Sequence, residues 1–485
     1  MTESGHFTRA LGLVDSTALV VGSMIGSGIF IVSAETARNL GSPAWLLVAW
    51  ALAGVLTVLA ALCYGELASM YPHAGGQYIF LREAYGKLAG FLYGWTLFMV
   101  IQCGTIAAVA VGFAKFLGVL APPGLLTAKN VLFSAGHWSF NSLQAVALVM
   151  IAVLTALNAR GVKTGAVIQT TFTVAKTSAL ALLIILGFVS VNKYFGLPVN
   201  MQHVWQAQDV QGQPLAGFGL MGVLALAMVG PLFSCDAWNN VTFAGDEVKD
   251  ASRTLAKSLM FGTMIVSFLY ILANIAYLLL IPLHGTANGA DVVARGLQYA
   301  DQDRVGTAAA EVIFGPIGAS LMAVAIVIST FGANNGLILS GPRAYYAMAR
   351  DGLFFKKAGE LHPKTNVPLW GLIIQGIWSA ILTTTGEYGD LLDYVVFAAL
   401  MFYVLTVFAL IRLRMKRPEV ERPVKVPGYP LVPIVYIIAA AAIMLGQICL
   451  KPTYPGFSLL IIVSGLPFYF IWSKLNSRTK ATSSS

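Results

Sequence analysis

The sequence predicts an all-α integral membrane protein of about twelve transmembrane helices. The core is a 5+5 inverted repeat with discontinuous first and sixth helices, and two additional helices follow at the C-terminal end. Three observations carry this reading. Apolar runs of about 20 residues, enough to cross roughly 30 Å of hydrocarbon, recur along the 485-residue chain. Charged residues make up 11%, against about 25% in soluble domains, and mean hydropathy is +0.76. Two of the runs, five spans apart, are broken in the middle by residues that helices avoid.

The first run, 11–40, is interrupted at Met24-Ile25-Gly26-Ser27-Gly28-Ile29-Phe30. Glycines flanking a serine are poor helix formers, so backbone N–H and C=O groups open there. Bare backbone at membrane depth is tolerated only where it is buried in protein or lines a cavity. Secondary transporters bind small polar solutes at such breaks. The runs near 44–70, 88–120, 139–158 and 167–191 are continuous enough to read as whole spans. The sixth, 219–246, holds Gly230-Pro231-Leu232-Phe233-Ser234-Cys235-Asp236-Ala237-Trp238-Asn239-Asn240. Its Gly and Pro weaken the helical ladder, and Asp236 carries a charge that insertion scales penalise by roughly 2.5–3.5 kcal/mol. Runs near 257–282, 312–343, 369–385 and 388–413 follow, then 431–450 and 457–474. Five crossings are an odd number, so a unit restarting at the sixth span enters the membrane upside down. The expected organisation is one transmembrane domain, 1–485, with repeats at 11–191 and 219–413 and two added helices at 431–474.

Loop charges set the orientation. With the N-terminus inside, 22 of the 30 Lys and Arg residues fall on the cytoplasmic face, seven on the other, and Lys176 within a span. That bias places both termini in the cytoplasm. The expected location is a plasma membrane, of the bacterial inner-membrane kind. The net charge of +9 then belongs to loops facing anionic lipid, and no nucleic-acid module is expected. Trp45, Trp138, Trp205, Trp370 and Trp472 lie near span ends, as interfacial anchors do. Cys63, Cys103, Cys235 and Cys449 fall inside spans, which argues against structural disulfides. The first run is too long for a cleaved signal peptide, so the chain is expected to keep its N-terminus. There is no metal-ligand spacing, phosphate-cradling loop or nucleophile with a histidine nearby, so neither an enzyme nor a cofactor is expected. A sensor would carry an added domain or long tail, and the chain ends about ten residues past its last span.

The breaks specify a ligand class. Past the first, the N–H groups of Ser27, Gly28 and their neighbours open a half-helix whose positive end favours a carboxylate. Before it, the carbonyls of Met24 and Ile25 lose their partners, and the sixth span frees carbonyls from Phe233 to Asp236. Opposed donors and acceptors suit the α-carboxylate and α-amine of an amino acid.

Three segments resemble a known family. Gly22 followed by Ile25-Gly26-Ser27-Gly28-Ile29-Phe30 is similar to the first-span signature of the amino acid–polyamine–organocation (APC) superfamily. Tyr64-Gly65-Glu66-Leu67 with Tyr71-Pro72 and Ala74-Gly75-Gly76-Gln77-Tyr78 resembles its second-span signature. Asn240 with Ala244-Gly245-Asp246-Glu247-Val248-Lys249 resembles the pattern closing its sixth span. The likeness covers nearly the whole chain and is greatest to L-type amino acid transporters and their bacterial relatives. It implies the LeuT-like inverted-repeat fold and transport by alternating access. The implied activity is sodium-independent exchange of neutral L-amino acids, with proton-coupled symport and cationic amino acid or polyamine transport as alternatives.

The resemblance also implies roles for individual residues. Ser27 and Gly28 bind the carboxylate, with the Ser23 or Ser27 hydroxyl; Gly26 and Ile25 belong to the same stretch, and Met24, Phe233 and Asp236 carbonyls, beside Ser234, take the amine. Phe233 is the aromatic lid, and Trp238 packs behind that gate. Lys176 matches a fifth-span lysine whose ammonium replaces a coupling ion, with first-span carbonyls and Ser329 as candidate partners. It can stay charged and tie two spans together, or shed a proton and couple transport to the proton gradient. Asp236 can meet the substrate amine, titrate, or bond to helix ends within its own break. Glu66 braces the bundle or the cytoplasmic gate, and Gly75-Gly76 permits a tight turn. Gln102, Cys103, Gly104 and Thr105 on the third span, with Ala333 and Asn334 on the eighth, are expected around the substrate side chain. The loop between the third and fourth spans lacks the cysteine that animal L-type members use for a heavy-chain subunit, so no such partner is expected.

Overall fold

A computed structural model of the protein describes residues 9, 11–136, 138–209, 211–385 and 388–483. The chain is a bundle of helices running back and forth. The first span is two pieces, Leu13–Met24 and Val32–Leu40, joined by an irregular stretch and one tight turn, Gly28–Phe30. The second to fifth spans are Pro43–Met70, Lys87–Leu120, Ser142–Ala159 and Val162–Val189. The sixth, Gly217–Glu247, stops at Ser234 and resumes at Trp238 as a 3-10 helix. Ala251–Leu280, Pro316–Arg350, Leu369–Thr383 and Tyr388–Lys416 are the seventh to tenth; Leu431–Leu450 and Thr453–Ser483 complete the bundle. Among the described residues, ten helices are long and apolar enough to cross a membrane. The broken first span and the 15-residue ninth, each of shorter helices, bring the total to the expected twelve.

Two features depart from the sequence expectation. The loop between the third and fourth spans forms a short antiparallel hairpin, Val131–Ala135 with Trp138–Asn141, a local feature that was not expected in a molecule that is mostly helical, as the all-α class has it. Val131, Leu132 and Phe133 favour extended backbone, and Gly136 supplies a positive φ of 60° for the turn. Several helices also outrun their hydrophobic stretches. The eighth continues to Arg350 and the tenth to Lys416, so Arg350, Arg414 and Lys416 are helical and not loop residues. Apolarity marks the lipid-crossing part of a helix, whereas its hydrogen-bond ladder continues into the polar layer.

The halves interlock. The second span lies along the seventh, the third along the eighth, and the two broken spans meet at their interruptions. Small residues allow the close approach of second and seventh: a β-carbon on Gly65 would lie 3.3 Å from the Ala256 backbone. On the end that carries most of the basic residues, called here the basic face, fully buried Glu66 accepts Arg414 Nε at 2.8 Å and the Val426 amide at 2.7 Å. This ties the second span to the tenth and to the segment after it, the bracing expected of Glu66. The Gly75-Gly76 turn (φ 110° and 45°) presses on the sixth span, where Gly75 N–H donates to Phe243 O at 3.3 Å.

Candidate functional site

The site is built by helices that stop short. Because the first span's opening helix ends at Met24, the carbonyls of Gly22, Met24 and Ile25 are not met by amides one turn on. Side chains from three other spans take their place. Lys176, 1% exposed on the fifth span, donates its ammonium to Gly22 O. Tyr270 of the seventh donates its hydroxyl to Met24 O at 2.9 Å and to Ser234 O at 3.1 Å. Ser329 Oγ of the eighth lies 3.5 Å from Ile25 O. Lys176 thus meets a first-span carbonyl, while Ser329 bonds to a neighbouring carbonyl and not to Lys176. On the other side of the break, among the described residues, the N–H groups of Gly26 and Gly28 donate no hydrogen bond. Before the break, in the last turn of the opening helix, the Ser23 hydroxyl is buried without a hydrogen-bond partner. Phe30 and Ile31 amides fold back onto Ser27 O and Gly28 O, both at 3.0 Å, which winds the tight turn.

The sixth-span break is pressed against the first. A β-carbon on Gly28 would overlap Ser234 Oγ and lie 3.0 Å from Ser234 Cα. Gly26 faces Ala333, whose Cβ would be 3.8 Å from such a carbon, so Ala333 borders the first break. Of the carbonyls assigned to the amine, Met24 and Ser234 share the Tyr270 hydroxyl, and Phe233 O accepts the Asp236 amide at 3.1 Å. The Asp236 carbonyl has no hydrogen bond among the described residues. The Asp236 carboxylate turns away from this cradle, accepting the Tyr403 hydroxyl of the tenth span and the Ala237 amide. Ala237 itself has a positive φ of 64°, which reverses the chain at the break. Trp238, 1% exposed, packs edge-on to Tyr64 at 4.7 Å and beside Tyr403 at 5.4 Å. Phe233 is buried beside the break.

The expected side-chain pocket divides. Gln102 and Thr105 line a small cavity, about 10 Å³ and so room for one water, together with Tyr93, Asp236, Asn240 and Tyr403. Cys103 and Asn334 face elsewhere, a correction that helix phase explains. Cys103 Sγ lies 3.7 Å from Gln375 O of the ninth span, and Asn334 Nδ2 donates to Ile106 O at 3.2 Å. Each is one residue out of register with its neighbour that borders the site. A π-helical stretch, Leu97–Ile101, precedes Gln102 and rotates the third span locally. Nothing in the residue pattern announced it. Tyr270 and Tyr403 were missed as well, since a tyrosine in an apolar run reads as packing.

The two faces differ. Opposite the basic face, a cavity of about 600 Å³ descends to Ile31, Val32 and Val111, just past the first break. The basic face is sealed. Glu247 at the end of the sixth span pairs with Arg343 at 2.6 Å, and Leu11 is stitched between Glu247 O (3.0 Å) and the Lys249 amide (2.9 Å). In the loop helix Gln77–Tyr85, Tyr78 donates to Asp351 at 2.6 Å. Burial, with Asp351 beside it, pushes the Tyr78 phenol up, so it remains a donor.

Comparison with known proteins agrees with this geometry. The amino acid permease family matches residues 11–467. The large neutral amino acids transporter small subunit 2 of Homo sapiens is 31% identical over 470 residues, 96% of this chain and 80% of that protein. The b(0,+)-type amino acid transporter 1 of Mus musculus is 30% identical over 466 residues, covering 96% and 88%.

Proposed function

The chain belongs to the amino acid permease family, and on that premise we propose that it exchanges neutral L-amino acids without sodium, by alternating access. That it is a multi-pass membrane protein that transports amino acids, and is not an enzyme, follows from the family and its relatives. The finer reading rests chiefly on one observation: the Gly26 and Gly28 amides lie open beside a break whose outgoing carbonyl, Gly22 O, already holds the Lys176 ammonium. The open amides suit a carboxylate. A fixed ammonium at Gly22 leaves no vacancy for sodium and can tie the first span to the fifth through the cycle.

Proton coupling is the second reading. It draws on the same lysine, which is buried against a neutral carbonyl. Transport of cationic substrates draws on Asp236, but the bond from Tyr403 turns that carboxylate toward a structural role. In the working cycle one bundle rocks against the other, with Phe233 as lid and Trp238 behind it. The chain sits in a plasma membrane of the bacterial inner-membrane kind with both termini in the cytoplasm. It works without a heavy-chain subunit, because residues 121–141 offer no cysteine for such a link.

The test is uptake of labelled alanine, serine, leucine and arginine by the purified chain in proteoliposomes. Vesicles are compared with and without internal amino acid, at matched and unmatched pH. Uptake of neutral label that needs internal amino acid and ignores the pH gradient supports exchange. Uptake into empty vesicles driven by inward protons replaces it with symport.

A further inference from the structure

We infer that the outer cavity is a second amino acid site, a shallow zwitterion station above the broken helices in which the Glu35 carboxylate receives the α-ammonium. This rests on the chain being an amino acid transporter and adds a site to it. The cavity, about 600 Å³, is several times the size of a small amino acid, and its floor of Ile31, Val32 and Val111 is apolar. Its walls carry opposite charges. The lining holds Glu35, half-buried on the first span, with Asp301 and Asp303, and also Lys115 of the third span and Lys129 of the loop that follows.

What singles out Glu35 is the pairing around it. Arg38, one turn on, is bound to Asp303 and to Gln298 O, both at 2.6 Å. Lys451 is bound to Asp393 at 3.1 Å, and Arg304 to Asp301. Lys451, Asp393, Arg38 and Asp303 are the charges that act on Glu35, and among the described residues no cation pairs with its carboxylate within 4.0 Å. A carboxylate left unpaired on a cavity wall attracts a cation. The lysines of the same lining repel a simple cation or polyamine while attracting a carboxylate. One carboxylate beside lysines is also a poor donor set for a hard metal ion, which takes six or more oxygens. A zwitterion satisfies both signs of charge, and the cavity leads it down to Ile31, three residues past Gly28.

The experiment is equilibrium binding of labelled leucine to the purified full chain in nanodiscs, with stoichiometry counted over a wide concentration range. The wild-type chain should bind two leucines, one tightly and one roughly tenfold or more weakly. Glu35→Gln should bind one, and Glu35→Asp, which keeps the charge, should bind two. One leucine bound by the wild type, or two bound by Glu35→Gln, overturns the second site. So does loss of the weak class in both variants, which would make the shape of Glu35 matter and not its charge. Uptake of leucine by proteoliposomes, run in parallel, separates the two ideas: transport with a single binding class sinks the outer site alone, whereas absence of both binding and transport sinks the proposed function too.

Discussion

At the scale of single residues, the site depends on side chains that stand in for missing backbone partners. Lys176 and Tyr270 do for Gly22 O, Met24 O and Ser234 O what amides one turn on would do in an unbroken helix. Lys176→Ala leaves the Gly22 carbonyl buried without a donor and cuts the link between first and fifth spans. We expect transport to slow by about tenfold or more while substrate affinity changes by less than about threefold, the signature of a residue used in the conformational step. Parallel binding and uptake assays check this, and unchanged turnover would remove Lys176 from the mechanism. Tyr270→Phe deletes the one O–H that the Met24 and Ser234 carbonyls share, a loss of about 1–3 kcal/mol. The variant should therefore melt at lower temperature and transport more slowly; a wild-type melting point would show that water replaces the hydroxyl. Lys176 was legible in the sequence because a lysine inside a span is conspicuous. Tyr270 was not, because its partners are about 36 and 246 residues away and nothing local distinguishes it from a packing tyrosine.

At the scale of elements, the two breaks act as one unit. Gly28 has no side chain where Ser234 presses in, so the first break closes on the sixth only with glycine at that position. Gly28→Ala should push the breaks apart and reduce amino acid binding by an order of magnitude or more. Adding Ser234→Gly, which empties the space the new methyl needs, should recover much of the loss. Coupling of this kind is measured by a double-mutant cycle on binding affinity, and additive losses would show that the two residues act separately. The interruptions themselves were legible because Gly-Ser-Gly and Gly-Pro declare poor helix formation within a few residues. Which side chains surround them was only partly so. Gln102 and Thr105 reach the small cavity, but Cys103 lies against the ninth span, and the π-turn that precedes all three rotates them together relative to a regular helix. The hairpin at Val131–Asn141 was hidden by its length, since its strands of five and four residues are too short to reveal alternation.

At the scale of the whole molecule, the cavity opposite the basic face and the ties that close the basic face suit one end of the proposed alternating cycle, and those ties are concentrated at the end of the sixth span. Arg343 and Glu247 are nearly buried there, with side chains 4% and 10% exposed. The same stretch is stitched to Leu11, just before the first span. Anything that loosens Glu247 therefore frees the basic ends of both broken helices together. Breaking a buried pair by removing one partner costs about 3–5 kcal/mol, because the other charge is stranded. A basic face that can open to water escapes much of that cost by hydrating Arg343. Glu247→Gln should accordingly shift the population toward a form open on the basic face. In hydrogen exchange, the amides of Leu11 and Lys249 should lose protection, while the Val426 amide, held by Glu66 in the second-to-tenth brace, should keep it. Loss of protection at all three would mean general unfolding, and loss at none would mean that the pair is not the seal. Replacing both partners with methionine removes the stranded charge, so it should restore most of the protection at Leu11 and Lys249, which an effect of Glu247 through the backbone alone would not do.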